Sequence, residues 1–167
     1  PLAMRFGQGA AVSRLCHRSW ALWILGYPEA ARLDVEHALR EAREIGQAGT
    51  LMFALRHVVP VHLWWGDYVA ANALIDELGS LARATNANLW KATEMAERVF
   101  LSALTGKTSN IVNMMTSALE AVRLTGTTIT MPRSKTFLAH AHARVGEFEN
   151  AWRCMNEAMK SIETTKE

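Results

Sequence analysis

The chain reads as an all-α protein, an α-solenoid of about four antiparallel helix pairs, on three observations. Ala, Leu, Arg, Glu and Met outweigh the β-branched residues, a balance that favours helices. Gly26, Gly66, Gly106 and Gly146 recur at an interval of 40, each after an apolar run and before a polar stretch that opens a helix. Behind each glycine the apolar residues return at helical spacing.

Counting from the turn glycine, the fifth column reads Ala31, Ala71, Ile111 and Ala151. The ninth reads Val35, Ile75, Met115 and Met155, and the twelfth Ala38, Leu78, Ala118 and Ala158. Those three positions share one face of a helix, so each glycine precedes the second helix of a pair. The twentieth column is Gly46, Asn86, Gly126 and Lys166, and Gly or Asn suits a left-handed helix end. First helices are expected near 10–25, 50–65, 89–105 and 132–145, and second helices near 28–45, 68–85, 108–125 and 148–165. Pro28 and Pro132 open helices at positions that need no amide proton, and Asp67 and Thr108 offer N-cap oxygens. Thr50 and Asn88 open the intervening first helices. Pro60 falls inside the second unit's first helix, where the missing donor should bend or break it. Residues 1–9 read as the tail of a preceding repeat, with Gly9 standing 40 before Gly49. The repeat domain 10–167 divides into units 10–49, 50–89, 90–129 and 130–167. A chain that opens on Pro1 reads as a piece of something longer, with further repeats upstream.

With 50% apolar and 20% charged residues, 167 residues suffice for a core of their own, which argues against disorder. A net charge of +2 lacks the clustered basic surplus of a nucleic-acid binder. The longest uncharged apolar run, from Trp20 to Tyr27, is far shorter than a membrane span. Cys16 and Cys154, far apart in sequence, suit reduced thiols and a cytoplasmic location better than a disulfide framework.

Gly26-Tyr27-Pro28-Glu29-Ala30-Ala31, followed by Ala38, resembles the tetratricopeptide repeat. Gly66-Asp67-Tyr68-Val69-Ala70-Ala71 and Gly146-Glu147-Phe148-Glu149-Asn150-Ala151 resemble it more closely. The period here is 40 instead of that family's 34, so both helices are longer. The stretch from Phe6 through Trp20, Trp23 and Gly26 to Ala30 is similar to the C-terminal helical region of large bacterial signalling ATPases. These include maltose-regulator-like transcriptional regulators and proteins linked to an adenylate cyclase. The repeat resemblance covers nearly all of the chain and the narrower one about 40 residues; together they imply an interaction or sensor arm, with ATPase or cyclase chemistry in other domains.

Gly106-Lys107-Thr108 lacks the upstream glycine of a phosphate-binding loop, Leu101 standing in its place. His57 and His62, and His140 and His142, lack the spacing of three or four that sets two ligands on one helix face. Spacing offers no catalytic residue, no metal ligand and no cofactor, so the expectation is a protein that is not an enzyme.

Charge is divided between the two helix sets. In the first-helix windows Arg14, Arg18, Arg56, Lys91, Arg98, Arg133, Lys135 and Arg144 oppose only Glu94 and Glu97, while the remaining windows are acidic. In tetratricopeptide-like solenoids the first helices line the concave face, so the resemblance implies a positive groove. The family's groove positions, counted from the turn glycine, fall on Trp20, Trp23, Phe53, Arg56, Trp64, Phe100, Arg133, His140 and Arg144. Aromatic and arginine side chains anchor interfaces, so the expected partner is a protein or peptide bearing carboxylates, or another domain of the same chain, with no nucleic acid and no membrane. The alternatives are a small-molecule effector sensor, with Trp20, Trp23 and Trp64 enclosing the ligand, and an oligomerisation arm that packs on its own copy.

Overall fold

In the computed structural model, residues 9–106, 110–127 and 131–165 are described. They form eight helices and, among the described residues, no strand. In chain order these are α1 (Ala10–Ile24), α2 (Pro28–Ile45), α3 (Ala48–Trp65), α4 (Tyr68–Ala84), α5 (Asn88–Leu104), α6 (Ile111–Leu124), α7 (Met131–Arg144) and α8 (Phe148–Thr165). The chain divides into two compact units, Pro1–Ala87 and Asn88–Glu167. In the first, α1 pairs with α2 and α3 with α4, and α3 also packs on both α1 and α2. In the second, α5 pairs with α6 and α7 with α8, and α7 also packs on α5 and α6. Each unit is thus two stacked helix hairpins, the building pattern of a solenoid.

The 40-residue columns are the reason these segments are helical and pack as they do. Ala31, Ala71 and Ile111 are buried, as are Ala38, Leu78, Ala118 and Ala158, so small side chains let the paired helices approach closely. The ninth-column residues Val35, Ile75 and Met115 fill the space beside them and are buried as well. In the second unit Val99, Ala103, Ile111, Met115, Leu119, Phe137 and Ala141 join into one apolar core. All four turn glycines take positive φ, from 80° to 85°, and Gly46, Asn86 and Gly126 take it as well, at 69°, 52° and 79°. A left-handed residue lets the chain reverse after a helix, and glycine adopts it without a steric penalty. Asp67 caps α4, its carboxylate accepting the Ala70 amide at 3.0 Å. Pro28 is the first residue of α2 and Pro132 the second of α7. Residues 1–8, Lys107, Thr108 and Lys166, and with them the preceding-repeat tail, the Thr108 cap and the last helix-end residue, lie outside the described residues.

Two sequence expectations need correction. Thr50 does not open a helix: α3 begins at Ala48, and the buried Thr50 hydroxyl accepts the Gly9 amide at 3.2 Å. Nor does Pro60 break α3, which runs unbroken through it. The proline sits fully buried among Val58, Val59 and Val61. Burying a valine side chain contributes roughly 1.5–3 kcal/mol, so this cluster offsets the ~3 kcal/mol that an interior proline costs.

Candidate functional site

The first helix of each pair presents a stripe at spacings of four, three and four. In α3 it runs Phe53, His57, Pro60 and Trp64; in α7 it runs Arg133, Phe137, His140 and Arg144. In α1 it includes His17 and Trp20, and in α5 Glu97 and Phe100. This face of one first helix meets the same face of the next first helix within each unit.

In the first unit the result is an aromatic ladder. The Trp20 indole N–H donates to the His57 carbonyl at 2.6 Å, and its ring stacks on the His57 imidazole at 5.4 Å. The Phe53 ring also stacks on His57, at 3.9 Å, and His17 closes against both Phe53 and His57. Trp64 lies edge-on to Trp20 at 6.1 Å and tilted against Trp23 at 6.1 Å, with Trp65 beside Trp23 at 5.5 Å. Trp20 and Trp23 are half-buried, whereas Trp64 is 44% and Trp65 38% exposed. Four of the sequence-selected residues, Trp20, Trp23, Phe53 and Trp64, are therefore gathered in one cluster with one face toward solvent. Arg56 stands apart from that open face: it is 8% exposed, with its guanidinium 3.4 Å from the His57 ring nitrogen.

In the second unit Phe100 and Phe137 stack almost parallel at 3.8 Å, with His140 edge-on to Phe100 at 5.4 Å. Arg133 lies over Phe137 at 4.6 Å and forks onto Glu97, a carboxylate 1% exposed. Burial, and then the neighbouring Arg144 charge, push the His140 imidazole below its ordinary value of 6.5. Its Nδ1 is buried without a hydrogen-bond partner. Arg144 itself is exposed at the end of the stripe. Phe100, Arg133 and His140 thus form one cluster edged by Arg144.

The positive face is smaller than charge counting implies. Arg18 forks onto buried Asp34 with both contacts at 2.6 Å, Arg98 binds Glu94, and Lys135 lies 3.0 Å from Glu157. With Arg133 held by Glu97, at least four of the eight first-helix cations have a carboxylate against them, drawn in part from the acidic second helices.

Sequence reasoning passed over His17, His57, Trp65, Glu97 and Phe137. Four of these, His17, His57, Glu97 and Phe137, occupy one column of the 40-residue register. That column, one turn before the one holding Trp20 and Phe100, was the available signal. Cys16 is a free, fully buried thiol that burial and then the Asp34 charge push up to about 12, which removes it as a nucleophile. Among the described residues no group of three His, Cys, Asp or Glu side chains could hold a metal ion, and no helix is long and apolar enough to cross a membrane. The chain matches no protein-family model, no curated protein and no solved structure.

Proposed function

We propose that this protein is a non-catalytic helical-repeat scaffold whose first-helix faces bind an extended peptide or a partner domain bearing apolar side chains and carboxylates. The observation that carries the reading is the half-exposed aromatic ladder of Trp20, Trp23, Phe53 and Trp64, held in place by the indole bond to His57. Aromatic rings already fixed by their neighbours lose little entropy on binding, which is the property of an interface anchor. The second unit, taken by itself, has a face of the same kind: the Phe100–His140 pair edged by the exposed Arg144, whose guanidinium suits a carboxylate.

The reading extends, through the tetratricopeptide and signalling-ATPase resemblances, to an arm of a larger bacterial signalling or regulatory protein. A cytoplasmic setting suits its two free, buried thiols. A closed small-molecule site has less support, because Trp64 packs against both Trp20 and Trp23, with ring centres 6.1 Å apart in each pair, and is itself 44% exposed.

The test is fluorescence anisotropy with labelled peptides that pair Leu or Phe with Glu, against neutral controls. Arg144→Glu is expected to weaken the acidic peptide about tenfold and flatten its salt dependence. Trp64→Ala is expected to weaken acidic and neutral peptides alike. Equal affinity across wild type and both variants would reject the site.

A further inference from the structure

Three histidines of the first-helix stripes hold their rings in two ways. His17 and His57 each turn Nδ1 to the carbonyl one turn back, that of Ser13 and of Phe53, at 2.8 Å. A carbonyl only accepts, so in both rings Nδ1 carries the proton and Nε2 keeps a lone pair. His140 makes no such bond. Its Nδ1 is buried without a partner, and the ring is steadied instead by Phe100, edge-on at 5.4 Å, which the Phe137 stack fixes in turn. A proton on that enclosed nitrogen would be a buried donor with nothing to accept it, and buried acceptors are left unpaired more readily than buried N–H groups. The proton of the neutral ring therefore belongs on Nε2, which is not enclosed.

One turn on, the exposed Arg144 reaches toward the end of α5, a guanidinium nitrogen lying 4.0 Å from where a Cβ on Gly106 would sit. Among the described residues no carboxylate lies against it. On the helices packed against α7, Glu97 is held by Arg133, Glu120 by Arg123 and Glu157 by Lys135. Arg144 is, among the described residues, the one charge that bears on the His140 ring.

We propose that Arg144 and His140 form a carboxylate-binding site, in which the guanidinium supplies the charge and the imidazole, neutral and protonated on Nε2, donates a second hydrogen bond. The site rests on the partner-binding reading of the second unit and gives that face its polar contact. One positive charge beside one neutral donor matches the single charge of a carboxylate, whereas a phosphate dianion would be left half neutralised. Binding needs no acid. Protonating the ring would put an N–H on the enclosed Nδ1, so near neutral pH His140 stays neutral with the carboxylate in place. The carboxylate belongs to an Asp or Glu side chain or to a chain terminus.

Nitrogen-15 NMR of the histidine rings in the whole chain tests the tautomer before any partner is added. His140 is expected to show a bare Nδ1 and a protonated Nε2, the reverse of His17 and His57. Sodium acetate is expected to move its Nε2 resonance and keep that pattern, with sodium chloride or phosphate of equal ionic strength moving it less. Labelled peptides then carry the carboxylate as an internal Glu with an amidated end, as a free end with Gln in place of Glu, or not at all, which separates the two sources. His140→Phe and Arg144→Met are each expected to weaken the carboxylate peptides about fivefold and to leave the uncharged one unchanged. His140→Gln, whose amide nitrogen stands near the Nε2 position, is expected to restore most of the affinity. A proton on Nδ1 of His140, a His140→Phe loss shared by the uncharged peptide, or a larger response to phosphate than to acetate overturns the site. If no peptide binds and acetate still moves Nε2, the partner-binding reading falls and the site stands. If the peptides bind and His140→Phe changes nothing, the site falls and that reading stands.

Discussion

Arg133 holds Glu97 from the next first helix of its unit with two parallel contacts, at 2.5 and 3.1 Å, while the flat guanidinium covers the Phe137 ring. Glu97 is among the most deeply buried side chains of the protein and depends on this one arginine for the contacts described. A buried charge that loses its partner costs about 3–5 kcal/mol. Arg133→Met is therefore expected to destabilise the second unit by that amount in urea unfolding. Adding Glu97→Gln should recover part of the loss, because the stranded charge is then gone. A single-variant loss below about 1 kcal/mol would show that water reaches the carboxylate.

Trp20 and Pro60 stand one period apart in the 40-residue register, and the indole bonds to the turn just before the proline. Proline at 60 gives α3 no amide proton for the Arg56 carbonyl and crowds the turn that contains His57. The Trp20 indole donates to the His57 carbonyl in that turn. Trp20→Phe keeps the ring packing and removes the donor, and is expected to cost about 1 kcal/mol. The change is to be read from denaturant midpoints, with the near-ultraviolet dichroism of the tryptophan cluster as a local reporter.

Gly66 takes φ of 80° with no neighbouring atom within 4 Å of where a Cβ would sit. Substitution there meets only backbone strain and no clash. Gly66→Ala is expected to cost about 1–2 kcal/mol, measured by thermal unfolding, with the helices on either side intact.

Acid should weaken both units above the range where carboxylates titrate. Burial lowers the His62 imidazole, although Asp67 opposes it, and burial with Arg144 lowers that of His140. Between those depressed folded values and the ordinary 6.5, the unfolded chain binds more protons than the folded one. Stability is therefore full above about pH 7, falls as pH drops through 6.5, and levels once the folded imidazoles protonate. Glu147 acts lower on the scale: Asn150, and then His142, hold its carboxyl below 4.5, so its contribution is present above 4.5 and lost as pH falls through its folded value. Urea midpoints at pH 8, 6 and 5 check the first window. His140→Phe should flatten the decline, and an unchanged slope would assign it elsewhere.

The helices were legible in the sequence because their punctuation is local. A left-handed glycine, an Asp67 cap and a proline at a first turn act on neighbouring residues, and the 40-residue register repeats the statement. The aromatic part of the candidate face was legible for the same reason, Trp20, Trp23, Phe53 and Trp64 being column members. Charge was not. Arg18 with Asp34 and Arg133 with Glu97 are 16 and 36 residues apart, and such pairs form only once helices are placed side by side. Counting formal charges by helix set treats every cation as solvent-facing, although Arg56 is buried and Arg133 is paired with a buried carboxylate. Pro60 misled in the opposite sense, since local propensity forbids what the apolar surroundings of α3 enforce.

The turn glycines carry a consequence for how such a chain can change length. Gly26 and Gly66 have φ of 84° and 80°, and each hands over from the end of a first helix to the start of a second. Excising residues 27–66 would join Gly26 to Asp67, and the seam would again be a left-handed glycine followed by the capped entry to α4. Unequal recombination in steps of 40 codons thus leaves the junction chemistry unaltered, whereas a step of any other size would put a helix face out of phase with its neighbour. The spacing of these glycines makes gain or loss of whole periods the mutational route that folding tolerates best.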